Sequence, residues 1–135
     1  MRALTDPDAE WPHAVEVLDR SPQTATPELA GRLGITVGVA LQRETVECMD
    51  PGGRSAMVVT TWRRGRHREH TSVVIEVGAA EVDAQQAAAL GLPVDTLAYR
   101  LMRTRLDGQG CPVETADLIL PMDRWVLRLK APGHA

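Results

Sequence analysis

Three carboxylates lie close together in the segment LDGQGCPVETADLILPMDRW, which covers residues 106–125. They are Glu114, Asp117 and Asp123. Side chains alternate between the two faces of a strand, so Glu114 and Asp117 point in opposite directions. Glu114 could accept hydrogen bonds from a ligand amine or hydroxyl group, or act as a general acid or base if burial raises its pKa. The alternative is an exposed carboxylate at the start of a strand, and we interpret Asp117 as structural or solvent-facing.

Two arginines upstream of these acids could bind an anion. Arg103 and Arg105 are two residues apart and share one strand face with Tyr99. A pair of guanidinium groups suits a ligand carboxylate, so we include Tyr99, Arg103 and Arg105 among the candidate ligand contacts. The alternative is that this is the wet outer face of the sheet. The same two hypotheses apply to Arg43.

A basic segment, RRGRHREH at residues 63–70, contains His67, Glu69 and His70. Their spacing is not that of two metal-binding histidines on one helix, and the four arginines of the segment would repel a divalent cation. We therefore expect no metal and no other cofactor. We expect a mobile loop over the mouth of a pocket, with His70 as a ligand contact or proton carrier.

The remaining candidate ligand contacts are Trp62 and Arg124. The chain has no Phe and one Tyr, so tryptophans are the main source of aromatic surface for a pocket. Arg124 follows Asp123, and in a strand the two side chains would face opposite ways, so we do not expect them to pair with each other. We favour a structural role for these two charges over a chemical one.

The composition fits a single cytoplasmic domain. A chain of 135 residues can bury one hydrophobic core, and its net charge of −3 is not typical of a protein that binds nucleic acid directly. Cys48 and Cys111 are far apart and fit a reducing compartment. No apolar run reaches the roughly 18 residues of a membrane span, and the N-terminus has no signal-peptide pattern, so we expect no membrane contact.

The chain contains the same unit twice. The segments TPELAGRLGITVGVALQRETVECMDPGG and DAQQAAALGLPVDTLAYRLMRTRLDGQG align without a gap at an offset of 57 residues. In each unit an N-cap, Thr26 or Asp83, begins a short helix that ends at Gly34 or Gly91. A strand, a glycine-rich turn and a returning strand follow. A further short strand at 73–77 leads into the second unit.

These units predict an α+β fold, in which two helix-strand-turn-strand repeats form one antiparallel sheet with the helices on one face. The repeats cover residues 26–62 and 83–125 of a single domain at 26–130. Residues 1–25 are predicted to be an N-terminal extension with a short helix, and residues 131–135 a tail. The uncovered face of the sheet should bind a ligand or a second copy of the chain, and the repeat favours a pocket between the two units.

The sequence resembles a known family over residues 26–129. The second unit, AAALGLPVDTLAYRLMRTRLDGQGCPVETADLILPMDRW, follows almost position by position the pattern of the UTRA domain, the effector-binding half of GntR-superfamily regulators of the HutC type. The resemblance implies a fold like that of chorismate lyase, a pocket between the units that senses a small ligand, and a homodimer. It also places Glu114 where the family contacts polar ligand groups.

Three departures from the family pattern bear on function. Only residues 1–25 precede the domain, too few for a winged-helix DNA-binding domain, and the segment between the units is short. Val46 and Cys48 replace the Arg-x-Arg pair with which family members hold a phosphate. We therefore expect a stand-alone UTRA-like domain that senses a small organic ligand, with a carboxylate-bearing molecule as one candidate, and that takes part in transcriptional regulation without its own DNA-binding domain.

Two alternatives stay open. The first is a small cofactor-free enzyme of specialised metabolism, a lyase, isomerase or cyclase on the same chorismate lyase-like fold. Glu114 would then be the acid or base, and Arg103 or Arg105 the anchor for a substrate carboxylate. The second is a plain dimerisation module, which would be favoured if side chains filled the space between the two units.

Overall fold

The computed structural model describes residues 1–130 and Gly133. The elements of this part of the chain are β1 (Arg2–Leu4), β2 (Val15–Thr24), α1 (Pro27–Leu33), β3 (Ala40–Met49), β4 (Ser55–Arg63), β5 (Ser72–Glu81), α2 (Ala84–Leu90), β6 (Leu97–Leu106), β7 (Pro112–Pro121) and β8 (Trp125–Leu127). The predicted tail at 131–135 lies outside the described residues, apart from Gly133.

Six strands form one antiparallel sheet in the order β2-β3-β4-β7-β6-β5. The two repeat units meet where β4 pairs with β7, at the centre of the sheet. α1 contacts β7 and α2 contacts β4, so each helix packs on the central strand of the other unit. β1 and β8 form a separate parallel pair. The predicted α+β fold with an antiparallel sheet is confirmed.

The repeat is longer than the sequence pattern suggests. β2 begins at Val15 and β5 begins at Ser72, so these two strands are also related by the offset of 57 residues. The strand predicted at 73–77 is the first half of β5. Each unit is therefore strand, helix, strand, strand, and the first strand of each unit forms an outer edge of the sheet.

The short helix predicted within residues 1–25 is wrong, because residues 15–24 form β2. This strand pairs with β3 from Val15 to Thr24 and fills an edge that β3 would otherwise leave open. The branched side chains of Val15 and Val17 favour an extended backbone, and an edge strand tolerates Pro22, which has no backbone N–H to donate. Tertiary pairing, which periodicity cannot reveal, decides the conformation of this segment.

The local signals at the ends of both helices are confirmed. Thr26 and Asp83 cap the helix N-termini through their side-chain oxygens, and Asp83 forms a reciprocal capping box with Gln86. Gly34 and Gly91 end the helices with φ angles of 64° and 67°, a left-handed conformation that glycine adopts without steric cost.

The two faces of the sheet are covered differently. On the helix face, α1 and α2 bury small aliphatic clusters around Leu29 and Leu90. The opposite face carries a larger cluster that includes Leu118 and Trp125. The β1–β8 pair and the N-terminal strap, which we define as residues 5–14, pack over this cluster, so we call it the strap face. The face that the sequence analysis expected to be uncovered is thus partly covered by the chain itself.

None of the helices in the described part of the chain is long and apolar enough to cross a lipid bilayer.

Candidate functional site

The candidate site lies on the strap face, where β6 and β7 pair. Their register places Arg103 opposite Ala116 and Arg105 opposite Glu114, so alternation puts all four side chains on the same face. Arg105 Nη1 donates to Glu114 Oε1 at 2.5 Å, and Arg63 Nη1 lies 3.5 Å from the second carboxylate oxygen. Only 4% of the surface of Glu114 is exposed. Its carboxylate is therefore buried and neutralised by two guanidinium groups.

The N-terminal strap reaches the same place. Arg105 Nε donates to Asp8 Oδ1 at 2.9 Å, and Asp8 Oδ2 lies 2.9 Å from Nε2 of His70. Burial by itself raises the pKa of Asp8, but the hydrogen bonds with His70 and Arg105 outweigh it and leave that pKa below its ordinary value. The acid of the strap is therefore held as a carboxylate between two donors.

Arg103 is the least satisfied charge of the site. Its side chain is 8% exposed, its Nη1 donates to the carbonyl oxygen of Pro7 at 3.1 Å, and its buried Nε has no hydrogen-bond partner among the described residues. Burial and the nearby charge of Arg105 lower the pKa of Arg103. A buried donor without an acceptor costs free energy, so this guanidinium is suited to an added acceptor.

A cleft of about 480 Å³ opens between the strap and the sheet, and we call it the strap cleft. Met57 of β4 and Leu118 of β7 form part of its floor, so it lies over the junction of the two repeat units. Trp11 and Trp125 line it with ring centroids 6.2 Å apart. Arg103 also lines it. The cleft therefore combines apolar walls with one buried cation, a common composition for small-molecule sites.

The charged groups around Glu114 and Asp8 carry more positive than negative charge. Three guanidinium groups on the strap face, those of Arg63, Arg103 and Arg105, lie near two carboxylates, those of Glu114 and Asp8. Arg105 and Arg63 neutralise Glu114, and Arg105 and His70 hold Asp8. With His70 neutral, one positive charge is left over, and Arg103 carries it. Arg2, Asp6 and Glu10 also line the strap cleft, but Arg103 is the buried charge among them, and it is complementary to a ligand carboxylate.

Four predicted site residues, His70, Arg103, Arg105 and Glu114, thus come together, and Arg103 is the one of the four that lines the strap cleft. Tyr99 lies on the same face, further along β6, and packs against the large apolar cluster. That these five residues contact a ligand stays a prediction.

The other three predicted site residues lie elsewhere. Arg43 is on the helix face, where Nη1 donates to Asp19 Oδ2 at 2.8 Å. Trp62 packs against the α1 cluster and donates through Nε1 to Gln23. Arg124 donates through Nη2 to the carbonyl oxygen of Leu90 at the end of α2. None of the three reaches the strap cleft.

The expectation that Asp123 and Arg124 would not pair is wrong. Arg124 Nε lies 3.7 Å from Asp123 Oδ1, because residues 122–124 form a turn and the alternation of a strand does not apply there. Both side chains are well exposed, so the pair contributes little stability. It borders a second cleft, of about 680 Å³, between α2 and the β3–β4 turn. That cleft is larger, but no described residue places a buried unpaired cation in it, so we do not place the site there.

Asp117 has a structural role on the helix face. Arg32 Nη1 donates to its Oδ1 at 2.7 Å, and Arg100 Nε donates to its Oδ2 at 3.0 Å. Arg100 also binds Glu28 of α1. The carboxylate thus connects α1 to β6 and β7 across the junction of the units.

Sequence reasoning missed the contribution of the strap. Asp8 and Pro7 contact residues of β6 that are 97 and 96 positions away. The only local signal is a turn, in which Asp6 Oδ1 accepts the N–H of Asp8. Within the described residues no group of three or more His, Cys, Asp and Glu side chains could hold a metal ion.

Comparison with known proteins bears on the fold. No protein-family model and no curated protein matches the sequence. Among solved structures, the effector domain of PhnF from Mycobacterium smegmatis matches at a TM-score of 0.75 and 21% identity, over 88% of this chain and 86% of that one. The chain has the fold of a GntR-type effector domain.

Two further structures agree with this assignment. A candidate GntR-family transcriptional regulator matches at a TM-score of 0.79 and 24% identity over 90% of this chain. This chain spans 59% of the length of that regulator. The ligand-binding domain of a candidate GntR-family regulator from Bordetella bronchiseptica matches at 0.76 and 12% identity, over 88% of this chain and 92% of that one. The GntR-type fold therefore recurs at identities where sequence comparison alone is weak.

Proposed function

We propose that this chain is an effector-sensing domain that takes part in transcriptional regulation, and that its effector is a small organic acid bound in the strap cleft. The fold supports the first part, because the similar structures are effector or ligand-binding domains of transcriptional regulators. One observation carries the second part. Arg103 is buried at the cleft, and among residues 1–130 its Nε has no hydrogen-bond partner and its guanidinium has no carboxylate of its own. Such a role requires a cytoplasmic chain.

The walls of the cleft limit the kind of acid. Trp11, Trp125, Met57 and Leu118 offer aromatic and aliphatic surface. A ligand that buries an apolar body against them gains about 25 cal/mol for each Å² of apolar surface removed from water. A carboxylate on Arg103 fixes its orientation. The expected effector is therefore an apolar or aromatic carboxylic acid rather than a sugar phosphate.

A panel of ligands tests this proposal by isothermal titration calorimetry. Aromatic and branched aliphatic carboxylic acids are compared with their own methyl esters and primary amides. We expect the acids to bind and the neutral derivatives to bind at least tenfold more weakly, since a charge-assisted hydrogen bond contributes about 1.5–3 kcal/mol. Native mass spectrometry of protein purified from its host supplies the natural ligand directly.

The matched variants are Arg103→Gln and Arg54→Gln. Arg54 is exposed and forms no side-chain ion pair within the described residues, so its replacement should leave binding unchanged. Arg103→Gln should lose at least tenfold in affinity for the acids. Esters that bind as tightly as acids, or an Arg103→Gln protein that binds like the wild type, would contradict the proposal. In the host, deleting the gene should abolish the transcriptional response to the identified acid.

We also propose a homodimer. Both outer strands of the sheet are ten residues long and carry exposed valines, Val15 and Val17 on β2 and Val74 and Val77 on β5. Long edge strands with apolar residues tend to pair with another chain. Light scattering after size exclusion should give twice the monomer mass. Val17→Lys or Val74→Lys, whichever lies on the edge strand that pairs, should lower the measured mass towards that of the monomer. A measured mass equal to that of the monomer, at a protein concentration on the order of 10⁻⁴ M, would exclude a stable dimer.

The enzyme hypothesis finds less support in the geometry. Glu114, the candidate acid or base, is held by Arg105 and Arg63 and does not line the strap cleft. A base that must accept a proton is poorly served by two guanidinium groups that stabilise its charged form. The dimerisation-module hypothesis required a filled space between the units, whereas the strap cleft is open there.

A further inference from the structure

The carboxylate of Asp8 is bound as a ligand would be. One oxygen accepts from Arg105 of β6 and the other lies at hydrogen-bond distance from His70 in the segment before β5, each at 2.9 Å. The two donors come from different elements and meet only at this carboxylate. Asp8 itself belongs to the strap, and its side chain is 27% exposed. We propose that Arg105 and His70 form a second acid-binding subsite, which Asp8 fills as an internal ligand until an acid group of the effector displaces it.

This inference rests on the proposed function, because it takes the strap cleft to be the effector site. Arg103 would bind one acid group of the effector in the strap cleft, and the Arg105–His70 subsite, which adjoins the cleft and does not line it while Asp8 is bound, would take the other. Release of Asp8 removes one negative charge from the strap face, which then has three guanidinium groups against the single carboxylate of Glu114. Among these four groups, two positive charges are left uncompensated. The full site is therefore complementary to a dicarboxylate.

The spacing of the two arginines sets the size of this ligand. Arg103 and Arg105 are two residues apart on one strand, so their Cα atoms are separated by about 7 Å. A dicarboxylic acid whose acid groups are about this far apart could reach both, with its apolar body against Trp11 and Trp125. A monoacid would bind at Arg103 and leave Asp8 in place.

The strap is anchored on both sides of Asp8. Its N-terminal side is held by the β1–β8 pair, and its C-terminal side is held by Trp11, whose Nε1 donates to the carbonyl oxygen of Met49 at 2.9 Å. Between these anchors, Asp8 and Pro7 are the residues with side-chain or carbonyl contacts to the arginines of β6. Exchange of Asp8 for a ligand carboxylate therefore needs displacement of a few residues and no rearrangement of the sheet.

Acetate provides the direct test, because it can replace the carboxylate that Asp8→Ala removes. The thermal midpoint of the full chain is measured as acetate is added at constant ionic strength, with chloride, acetamide and inorganic phosphate as comparisons. We expect Asp8→Ala to bind acetate at least tenfold more tightly than the wild type, seen as a larger acetate-dependent rise in Tm. Acetamide should have no effect, and phosphate should have less effect than acetate.

Glu16→Ala is the matched control. Glu16 is an exposed acid of β2 that does not line the strap cleft and forms no ion pair within the described residues, so its loss should leave the acetate response at the wild-type level. His70→Gln in the Asp8→Ala background should weaken the acetate response again. If Asp8→Ala does not fold, Asp8→Asn keeps the shape of the side chain and the same comparison applies. An acetate response that is equal in the wild type and the Asp8 variants, or a phosphate response that exceeds it, overturns the subsite.

The outcome separates this inference from the proposed function. If the binding of acids depends on Arg103 but the acetate response is the same in the wild type and in Asp8→Ala, the subsite is wrong and the effector site stands. If acetate binds more tightly to Asp8→Ala than to the wild type, but Arg103→Gln does not weaken the binding of any acid, the proposed function is wrong and the subsite stands.

Discussion

Replacing Glu114 by Gln should destabilise the protein and leave acid binding intact. Glu114 is 4% exposed, and its carboxylate is bonded to Arg105 at 2.5 Å, with Arg63 at 3.5 Å. Gln has nearly the same shape, so the change removes the charge and little else. The two guanidinium groups then lose the carboxylate that neutralises them.

The magnitude follows from the burial of the partners. Breaking a fully buried ion pair costs about 3–5 kcal/mol. Here the side chain of Arg63 is 29% exposed, and Arg105 keeps its bond to Asp8, so solvent and Asp8 offset part of the loss. We expect a decrease of about 2 kcal/mol in the free energy of unfolding, which for a chain of this length lowers Tm by about 8 °C.

Urea denaturation followed by tryptophan fluorescence measures this change. Glu76→Gln is the control, because Glu76 is an exposed strand residue without an ion pair in the described part of the chain, and its replacement should change stability by less than about 0.5 kcal/mol. Carboxylic acids should bind Glu114→Gln at least as tightly as the wild type, since the face becomes more positive. A variant as stable as the wild type would refute the ion-pair argument, and one that loses acid binding would restore Glu114 as a ligand contact.

Three further predictions concern charge and reactivity. The folded-state pKa of Asp8 lies below its ordinary value of 3.8, so its carboxylate stabilises the fold above that pH. The stability difference between wild type and Asp8→Asn should therefore shrink as the pH falls below 3.8, in urea titrations across that range. Burial raises the pKa of Cys48 to about 11, so at pH 8 a thiol reagent should modify the exposed Cys111 in the native protein and Cys48 only after unfolding, as read by peptide mass mapping. Arg32→Gln removes donors to Asp117 and to the Ala116 carbonyl and should lower the free energy of unfolding by about 2 kcal/mol; a loss below 0.5 kcal/mol, on the order of a surface change, would contradict a structural role for this network.

The fold could be predicted largely from the sequence because its signals are local. The caps at Thr26 and Asp83 and the stops at Gly34 and Gly91 each depend on residues within one helical turn. Because the unit occurs twice, each of these signals appears at two positions in the sequence. β2 was not predicted, because its extended conformation depends on pairing with β3. No residue within the segment indicates that partner.

The candidate site could be predicted only in part, for the same reason. Alternation correctly put Arg103 and Arg105 on one face of their strand, and Glu114 and Asp117 on opposite faces of theirs. Alternation cannot say which face is covered or by what. The contacts of Asp8 join residues at opposite ends of the chain, and a lone acid in a short turn gives no sign of a partner 97 residues away.

The repeat also explains why the site is polar on one side only. At the offset of 57 residues, the positions of Arg103, Arg105 and Glu114 correspond to Val46, Cys48 and Met57 in the first unit. In the first unit all three are packed into the apolar cluster.

A sheet with pseudo-twofold symmetry would present equivalent surfaces on both sides of the β4–β7 junction. These three differences give it an apolar side and a charged side. A bound acid should then have one orientation, with its acid groups toward the second unit and its apolar body toward the first. Met57→Glu would place a negative charge on the apolar side, in the floor of the cleft. It should therefore weaken binding of an apolar acid by more than it weakens binding of acetate to the Asp8→Ala protein.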